Sequence, residues 1–321
     1  MRPLLSLCLL AASSALAALP PQEQALQHLE RLSKVFLPPP AQNCTLSKPV
    51  LVAQAPGQLY QSNLPPVWVV RIRTGPTDHG YLMWENTDSG ALLEFALDGK
   101  HIPIPENGGL TEGVPALQQF PVPVPVPVPG LQAKAVASGC VPTAGASLLA
   151  YWANRGFPQW SGGLPLNQHK TVENYAVRLR QKLHMSELPD TSGYTNDGMT
   201  LSGAYPKELA EAVASDARAH GVVLKTEHVP FSFPKLKTET AASRPVLLSC
   251  MVRLPQKPHL AWGHEMVGVG WLELNGAQFA GVEDNFYPTA SEETVRWIRK
   301  EAFESLITAI PEPGEAGGPK K

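Results

Sequence analysis

The sequence predicts an α+β fold in two parts, a small helix-plus-sheet region and a larger region in which helices precede strands. Three observations support this prediction. Apolar residues recur at helical spacing over 22–36, strand-like runs fill 49–104, and the segment 131–310 carries helical patterns before its strand patterns. Hydrophobic residues make up 43% of the 321 residues and charged residues 17%, which is typical of a globular protein with a sizeable core.

Short-range residue patterns predict the helix and the strands of the first region. Leu26, Leu29, Leu32 and Phe36 share one helical face, and Pro38-Pro39-Pro40 ends that helix. The strand-like runs, separated by turn residues, cover 50–53, 67–72, 81–84 and 91–97. We predict that residues 18–120 form a helix-plus-sheet N-terminal domain.

A proline run marks the predicted domain boundary. Residues 121–129 alternate Pro with Val, and Gly130 closes the run. Alternating proline favours polyproline II, which rises about 3.1 Å per residue and acts as a semi-rigid spacer. Residues 121–130 are therefore predicted to be a linker, with a docking site for a proline-recognising partner as the alternative.

The second predicted domain covers residues 131–310. Its helical patterns lie at 144–154, 171–183 and 207–220, and its strand patterns at 245–249, 264–274 and 278–283. The tail, residues 311–321, is rich in Gly, Pro, Glu and Lys and is predicted to be disordered.

The N-terminus has the pattern of a secretory signal peptide over residues 1–17. Arg2 supplies a positive charge, residues 4–12 an apolar core, and Ala15-Leu16-Ala17 a small-residue cleavage site. A buried N-terminal helix is the alternative. The apolar core is too short to span a bilayer, and no other segment reaches about 18 apolar residues. We therefore expect a secreted or periplasmic protein without a membrane span.

Charge and ligand spacing limit the kinds of partner. The net charge of −2 is too small to indicate nucleic acid or an anionic membrane. The 9 histidines and 4 cysteines lack zinc spacing, and the glycines at 263, 268 and 270 lie in a strand pattern with no phosphate-binding helix after them. We therefore predict no metal and no organic cofactor.

The cysteine count suggests a free thiol. Cys8 would leave with the signal peptide, so that Cys44, Cys140 and Cys250 remain in the exported chain. An odd number in an exported protein indicates one unpaired cysteine. One hypothesis pairs Cys44 with Cys250 and leaves Cys140 free, although three cysteines allow three different pairs.

Cys140 lies in the strongest local motif, Ser138-Gly139-Cys140-Val141-Pro142-Thr143-Ala144-Gly145-Ala146. Pro142 is tolerated at a helix start, and the small residues that follow allow the first turn to pack closely. The motif therefore predicts Cys140 at a helix N-terminus, where the helix dipole favours a nucleophilic thiolate. The alternative is a buried structural cysteine.

Two later motifs could complete a catalytic site. His264 opens a predicted strand that carries Gly268 and Gly270, and such glycines let a substrate or another backbone approach. Asp284 ends the next predicted strand, where its carboxylate could orient the imidazole. Taken singly, each has a plainer interpretation, namely a packed histidine and an Asx turn.

Together these motifs resemble the papain-like cysteine peptidases. More narrowly, they are similar to the bacterial branch that includes streptopain-type and bacteriocin-processing-type peptidases. The resemblance covers roughly residues 131–300. It rests on five blocks of sequence: Gly139-Cys140-Val141-Pro142-Thr143-Ala144, Tyr151-Trp152 with Gly156-Phe157-Pro158, Arg244-Pro245-Val246-Leu247-Leu248, Gly263-His264 with Val267-Gly268-Val269-Gly270, and Asp284-Asn285-Phe286.

The resemblance implies a papain-like catalytic domain, in which a helix carrying the cysteine packs on an antiparallel sheet carrying the histidine and the aspartate. It implies that Cys140 is the nucleophile, His264 the general base and Asp284 the orienting residue, with Asn285 as the substitute for that last role. Gln132 is the nearest candidate for a side-chain oxyanion donor, but it lies further upstream of the cysteine than in the family.

The implied activity is that of a secreted cysteine peptidase with a peptide or protein substrate. Two alternatives stay open, a non-catalytic binding module of the same fold and another thiol acyl-transfer enzyme, such as an amidase or a transglutaminase-like enzyme. Residues 18–120 are similar to streptopain-type propeptides, which implies a zymogen in which they cover the cleft. The alternative is a permanent accessory domain.

Overall fold

The structure is a computed structural model. It describes residues 19–35, 44–52, 65–97, 107–123, 135–161, 169–185, 195–196, 199–200, 204–254, 257–285 and 295–312. The predicted signal peptide, Gln132, Phe286 and the tail from residue 313 onward lie outside the described residues.

Helices and antiparallel strands both contribute, which confirms the predicted α+β class. The helices are α1 (Pro21–Val35), α2 (Cys140–Asn154), α3 (His169–Lys182), α4 (Pro206–Ala219) and α5 (Phe233–Ala241). Among the described residues, none of them has the length and apolarity that crossing a membrane requires. The first four helices match predicted ones, whereas α5 was not predicted.

The strands between residues 45 and 137 are short except for one meander. They are β1 (Thr45–Leu46), β2 (Val50–Val52), β3 (Val67–Thr74), β4 (Thr77–Glu85), β5 (Leu92–Leu97), β6 (Gly108–Leu110), β7 (Pro121–Pro123) and β8 (Ala135–Ala137).

Of the strands that follow, the first two have two residues each and the others are longer. They are β9 (Thr195–Asn196), β10 (Met199–Thr200), β11 (Leu224–Pro230), β12 (Val246–Leu254), β13 (Lys257–Leu274), β14 (Ala277–Glu283), β15 (Val295–Arg299) and β16 (Phe303–Pro311). Of these, β9, β10, β11, β15 and β16 were not predicted.

One large sheet runs through both regions. Its strand order is β1-β3-β4-β5-β15-β14-β13-β12-β16-β11, with β2 added on β3 and β6 on β13. The two regions meet where β5 pairs antiparallel with β15, in a register that places Phe95 opposite Trp297. Residues 18–120 and 131–310, which are predicted to be separate domains, are thus joined in one sheet by backbone hydrogen bonds.

The hydrophobic core also crosses from one region to the other. Leu32 of α1 and Trp84 of β4 belong to the same buried cluster as Phe279 of β14 and Trp297 of β15. On the other side, α2 is buried almost throughout and packs on Val267 and Val269 of β13. These contacts place the N-terminus of α2 beside the sheet.

Gly145 explains how closely α2 approaches its neighbours. A Cβ at this position would lie 2.8 Å from Leu179 of α3 and 3.0 Å from Leu209 of α4. Any larger residue at this position would force the ends of these two leucine side chains to move, so glycine suits the close approach. The close packing predicted for the small residues after Cys140 is therefore present.

The proline run differs from the prediction at its first residues. Pro121–Pro123 pair antiparallel with Ala135–Ala137 at the edge of a second, four-stranded sheet of order β7-β8-β10-β9. Proline is tolerated on an edge strand because one side of the strand needs no ladder hydrogen bonds. These three residues are thus a strand and not part of a spacer, and residues 124–130 lie outside the described residues.

Candidate active site

The sequence around Cys140 folds as its residue types predict. Cys140 is the first residue of α2, and Gly139 before it has φ of 91°, a backbone conformation that favours glycine. Thr143 donates a hydrogen bond of 2.6 Å from Oγ1 to the carbonyl of Gly139, which fixes the turn into the helix. The thiol is partly exposed and lies where the positive end of the helix dipole favours an anion.

His264 lies in the interior of β13, opposite Cys250 of β12, so the prediction that it opens a strand is wrong. Pro255 and Pro258 obscured the start of the strand, because proline is rare within strands. The residue is 6% exposed and therefore buried. Its position is set by the long β12–β13 ladder, which holds an imidazole more firmly than a strand end would.

Asp284 and His264 form a buried pair. Asp284 Oδ1 lies 2.7 Å from His264 Nε2, and both side chains are 2% exposed. Because Nε2 is engaged, the hydrogen bond between the side chains of His264 and Cys140 falls to Nδ1. The structure thus brings together the three residues that the sequence predicts as nucleophile, base and orienting residue.

The charges around His264 favour the imidazolium. Burial by itself would lower the pKa of His264, but the charge and hydrogen bond of Asp284 and the hydrogen bond and charge of Cys140 raise it to about 10. A protonated imidazole between two acidic groups is the expected partner of a thiolate. The imidazole of His264 is therefore held protonated at neutral pH beside the side chain of Cys140.

The second carboxylate oxygen of Asp284 is held by a buried arginine. This oxygen, Oδ2, accepts a hydrogen bond from Nη1 of Arg296, while Nε and Nη2 of Arg296 bond to Oε1 of Glu94 at 3.0 and 2.7 Å. Tyr81 donates from its hydroxyl to the same Glu94 oxygen. All of these side chains are buried. Arg296, Glu94 and Tyr81 are not among the predicted site residues.

No family model matches the chain, and no curated protein matches it either. The function is therefore inferred from the chemistry of the site.

Asn285 does not take the place of Asp284. Its Nδ2 donates to the carbonyl oxygens of Cys140 at 3.1 Å and of Glu265 at 3.0 Å, so it joins the start of α2 to β13. Its Oδ1 accepts from Nε2 of Gln119 at 3.0 Å. Asn285 therefore fixes the backbone that carries the nucleophile and leaves the orientation of the imidazole to Asp284.

Gln118 and Gln119 reach the site although sequence analysis gave them no role in it. Gln119 donates its backbone N–H to the carbonyl of Asn285 at 2.9 Å, and Gln118 donates from Nε2 to the carbonyl of Asp284 at 3.4 Å. The β7–β8 pairing brings the two glutamines beside residues 138–140. Gln132, the predicted oxyanion donor, lies outside the described residues.

Two acids with raised pKa values lie next to the site, of which Glu265 is buried and Glu283 is half-buried. Burial raises the pKa of Glu265 to about 7, against a hydrogen bond from Ser249 and the charge of His264, which lower it. Burial raises the pKa of Glu283 to about 8. One carboxyl oxygen of each, Oε1 of Glu265 and Oε2 of Glu283, has no hydrogen-bond partner among the described residues. Ionising either acid is therefore unfavourable.

The predicted Cys44–Cys250 disulfide is wrong. Cys250 is a free thiol, buried opposite His264 in the β12–β13 ladder, and burial raises its pKa well above its usual range. Parity of the cysteine count was the basis of that prediction, and it carries no information on distance. No group of three histidine, cysteine or acidic side chains within the described ranges has the geometry of a metal site.

Proposed function

We propose that this protein is a secreted, papain-like cysteine peptidase that hydrolyses peptide bonds. The observation that carries the proposal is the chain of contacts from Cys140 through His264 to Asp284. A thiol at a helix N-terminus, a buried imidazole bonded to it and a carboxylate fixing that imidazole are the parts that thiol acyl transfer requires.

In the first step, the Cys140 thiolate attacks the carbonyl carbon of the scissile amide, and the carbonyl oxygen takes the negative charge. The backbone N–H of Cys140, at the start of α2, is a donor for that oxyanion. The imidazolium of His264 then gives its proton to the leaving amine. The C–N bond breaks, and a thioester on Cys140 remains.

In the second step, neutral His264 takes a proton from water as the water oxygen attacks the thioester. The C–S bond breaks, the acid product leaves, and the thiolate and the imidazolium form again. Asp284 keeps its bond to Nε2 throughout, so that Nδ1 stays directed at the reacting atoms.

The charge balance assists the first proton transfer. The thiolate of Cys140 is one of the groups that raise the pKa of His264. When sulfur becomes bonded to carbon, that negative charge is lost from its position beside the imidazolium. The imidazolium then holds its proton less tightly at the moment when the leaving amine needs it.

Two substitutions test the proposal directly. Cys140→Ala and His264→Ala should each lower the rate of peptide hydrolysis by several orders of magnitude, since the nucleophile and its base act as one unit. Cys44→Ala is the matched control, because it removes another partly buried thiol outside the site and should retain activity. Hydrolysis is measured on a library of fluorogenic peptides, with folding checked by circular dichroism.

A substrate-independent measurement separates the enzyme from a non-catalytic binding module. In the thiolate–imidazolium pair, Cys140 should react with iodoacetamide at pH 6 much faster than an ordinary thiol. The alkylated peptide is quantified by mass spectrometry. Slow alkylation at pH 6, or near-normal hydrolysis by Cys140→Ala, contradicts the proposal.

A further inference from the structure

The proposed active site is tied to the N-terminal strands by a buried chain of alternating charges. His264 bonds Asp284, Asp284 bonds Arg296, and Arg296 bonds Glu94 of β5. The Arg296 and Glu94 side chains are 1% and 5% exposed. Partners separated by 202 positions in the sequence thus meet within the sheet.

Arg296 determines which oxygen of Asp284 faces the imidazole. Its planar guanidinium uses Nη1 on Oδ2 of Asp284 and its other two bonding nitrogens on Glu94. With Oδ2 engaged, Oδ1 is left for Nε2 of His264. A planar guanidinium that is hydrogen-bonded on two sides cannot rotate. Glu94 therefore fixes the orientation of Arg296, and Arg296 in turn fixes that of Asp284.

The backbone reinforces the same connection. β5 pairs with β15 in a register that places Ala96 opposite Arg296 and Glu94 opposite Ile298. Further along the chain, β6 pairs with β13, the strand that carries His264, and Gln119 bonds Asn285. Residues from four separate parts of 81–119 therefore support the site or its sheet.

We propose that Arg296 and Glu94 are positioning residues for Asp284, and that the N-terminal strands are consequently a permanent part of the active enzyme and not an inhibitory propeptide. This inference rests on the proposed function. A propeptide can leave without harming the site. Removing β5 would instead take away Glu94, strand pairing for β15 and part of the core around Trp297.

The sign of the effect follows from the charges. Asp284 and Glu94 carry two negative charges around one positive Arg296, so the three groups together favour the imidazolium of His264. The thiolate of Cys140 also favours the imidazolium. Glu265 is a further acid whose charge interacts with His264, and its Oε1 has no hydrogen-bond partner among the described residues. Neutralising Glu94 leaves Arg296 less compensated and less fixed, and both changes disfavour the imidazolium.

The test compares Glu94→Gln with Asp216→Asn in the full-length protein. Both replace a buried carboxylate bonded to an arginine by its amide, but Asp216 bonds Arg178 between α3 and α4, outside the chain of charges. His264 is titrated by NMR of labelled imidazole nitrogens, assigned by comparison with His264→Gln. Alkylation of Cys140 is measured as the ratio of the rates at pH 6 and pH 9.

We expect Glu94→Gln to lower the pKa of His264 and to lower the alkylation ratio about tenfold, the effect of one pKa unit, while Asp216→Asn keeps both values of the parent. If Glu94→Gln matches the parent in both measurements and the parent thiol reacts at pH 6, the inference is overturned and the proposed function stands. If the imidazole titration shifts but the parent thiol does not react at pH 6, the charge chain stands and the proposed function is overturned.

Discussion

Replacing Arg296 by Met should destabilise the protein more than any surface substitution. The methionine roughly fills the volume of the arginine stem, but Glu94 then loses the cation that it contacts among the described residues, and only the Tyr81 hydroxyl remains on its carboxylate. Asp284 keeps His264. Leaving one buried carboxylate uncompensated in this way costs about 3–5 kcal/mol of unfolding free energy.

The loss is measured by urea unfolding at pH 7, followed by tryptophan fluorescence. With a slope of about 3 kcal/mol per molar urea, the midpoint should fall by roughly 1 to 1.7 M. Lys235→Met is the comparison, because it breaks an ion pair with Glu227 that is largely exposed and should leave the midpoint near that of the parent.

A double substitution separates charge from packing. Arg296→Met combined with Glu94→Gln removes the uncompensated carboxylate and should recover most of the lost stability, since apolar replacement of a buried ion pair is often neutral. It should not recover rapid alkylation of Cys140, because Asp284 still lacks its hydrogen bond from Arg296. If Arg296→Met unfolds at the midpoint of Lys235→Met, the reasoning from burial is refuted.

Three further outcomes are expected. The pKa of His264 is about 10 in the folded protein, above its ordinary 6.5, so protonation of His264 stabilises the fold fully below pH 6.5 and this stabilisation is lost as the pH rises through 10. His264→Gln should therefore flatten this part of the curve of unfolding free energy against pH. The pKa of Glu283 is raised from 4.5 to about 8, so its contribution to stability falls as the pH rises between these values, and Glu283→Gln should be more stable than the parent at pH 9 but not at pH 4, as measured by thermal scans. A protease site engineered into 124–134 should yield, after cutting, two fragments that co-elute in gel filtration and keep the activity, whereas separation with a gain in activity would support the zymogen hypothesis.

Local signals predicted the parts of the site that depend on local structure. Gly139 and Pro142 around Cys140 are compatible with a helix start and little else, and the helix begins there. His264 and Asp284 each follow or lie in a run of β-branched and small residues, so their strands were predictable. The bond between them required only that β13 and β14 be neighbours, which a short connection favours.

The domain boundary could not be placed from composition alone. The proline run has the composition of a linker, but the edge of a small sheet accepts Pro121–Pro123 as a strand. Nothing local to residues 91–97 indicates that this strand pairs with β15, far along the chain. Which strands pair at such a separation depends on the sum of the core contacts that each pairing makes. The sequence pattern does not show which of the possible pairings has the most favourable contacts.

The charge chain shows why long-range positioning residues escape sequence analysis. Glu94 lies between Leu93 and Phe95 in an alternating strand, where a polar residue is ordinarily assigned to the solvent face. Here β15 lies beside β5 in the same sheet, and the acid is buried against the side chain of Arg296. Burying several charges costs free energy of folding, and apolar residues in their place would stabilise the sheet equally well. The arrangement is more simply explained by what it does to Asp284. Arg296 and Glu94 hold Oδ1 of Asp284 toward His264, and Glu94 lies outside the region that resembles a peptidase.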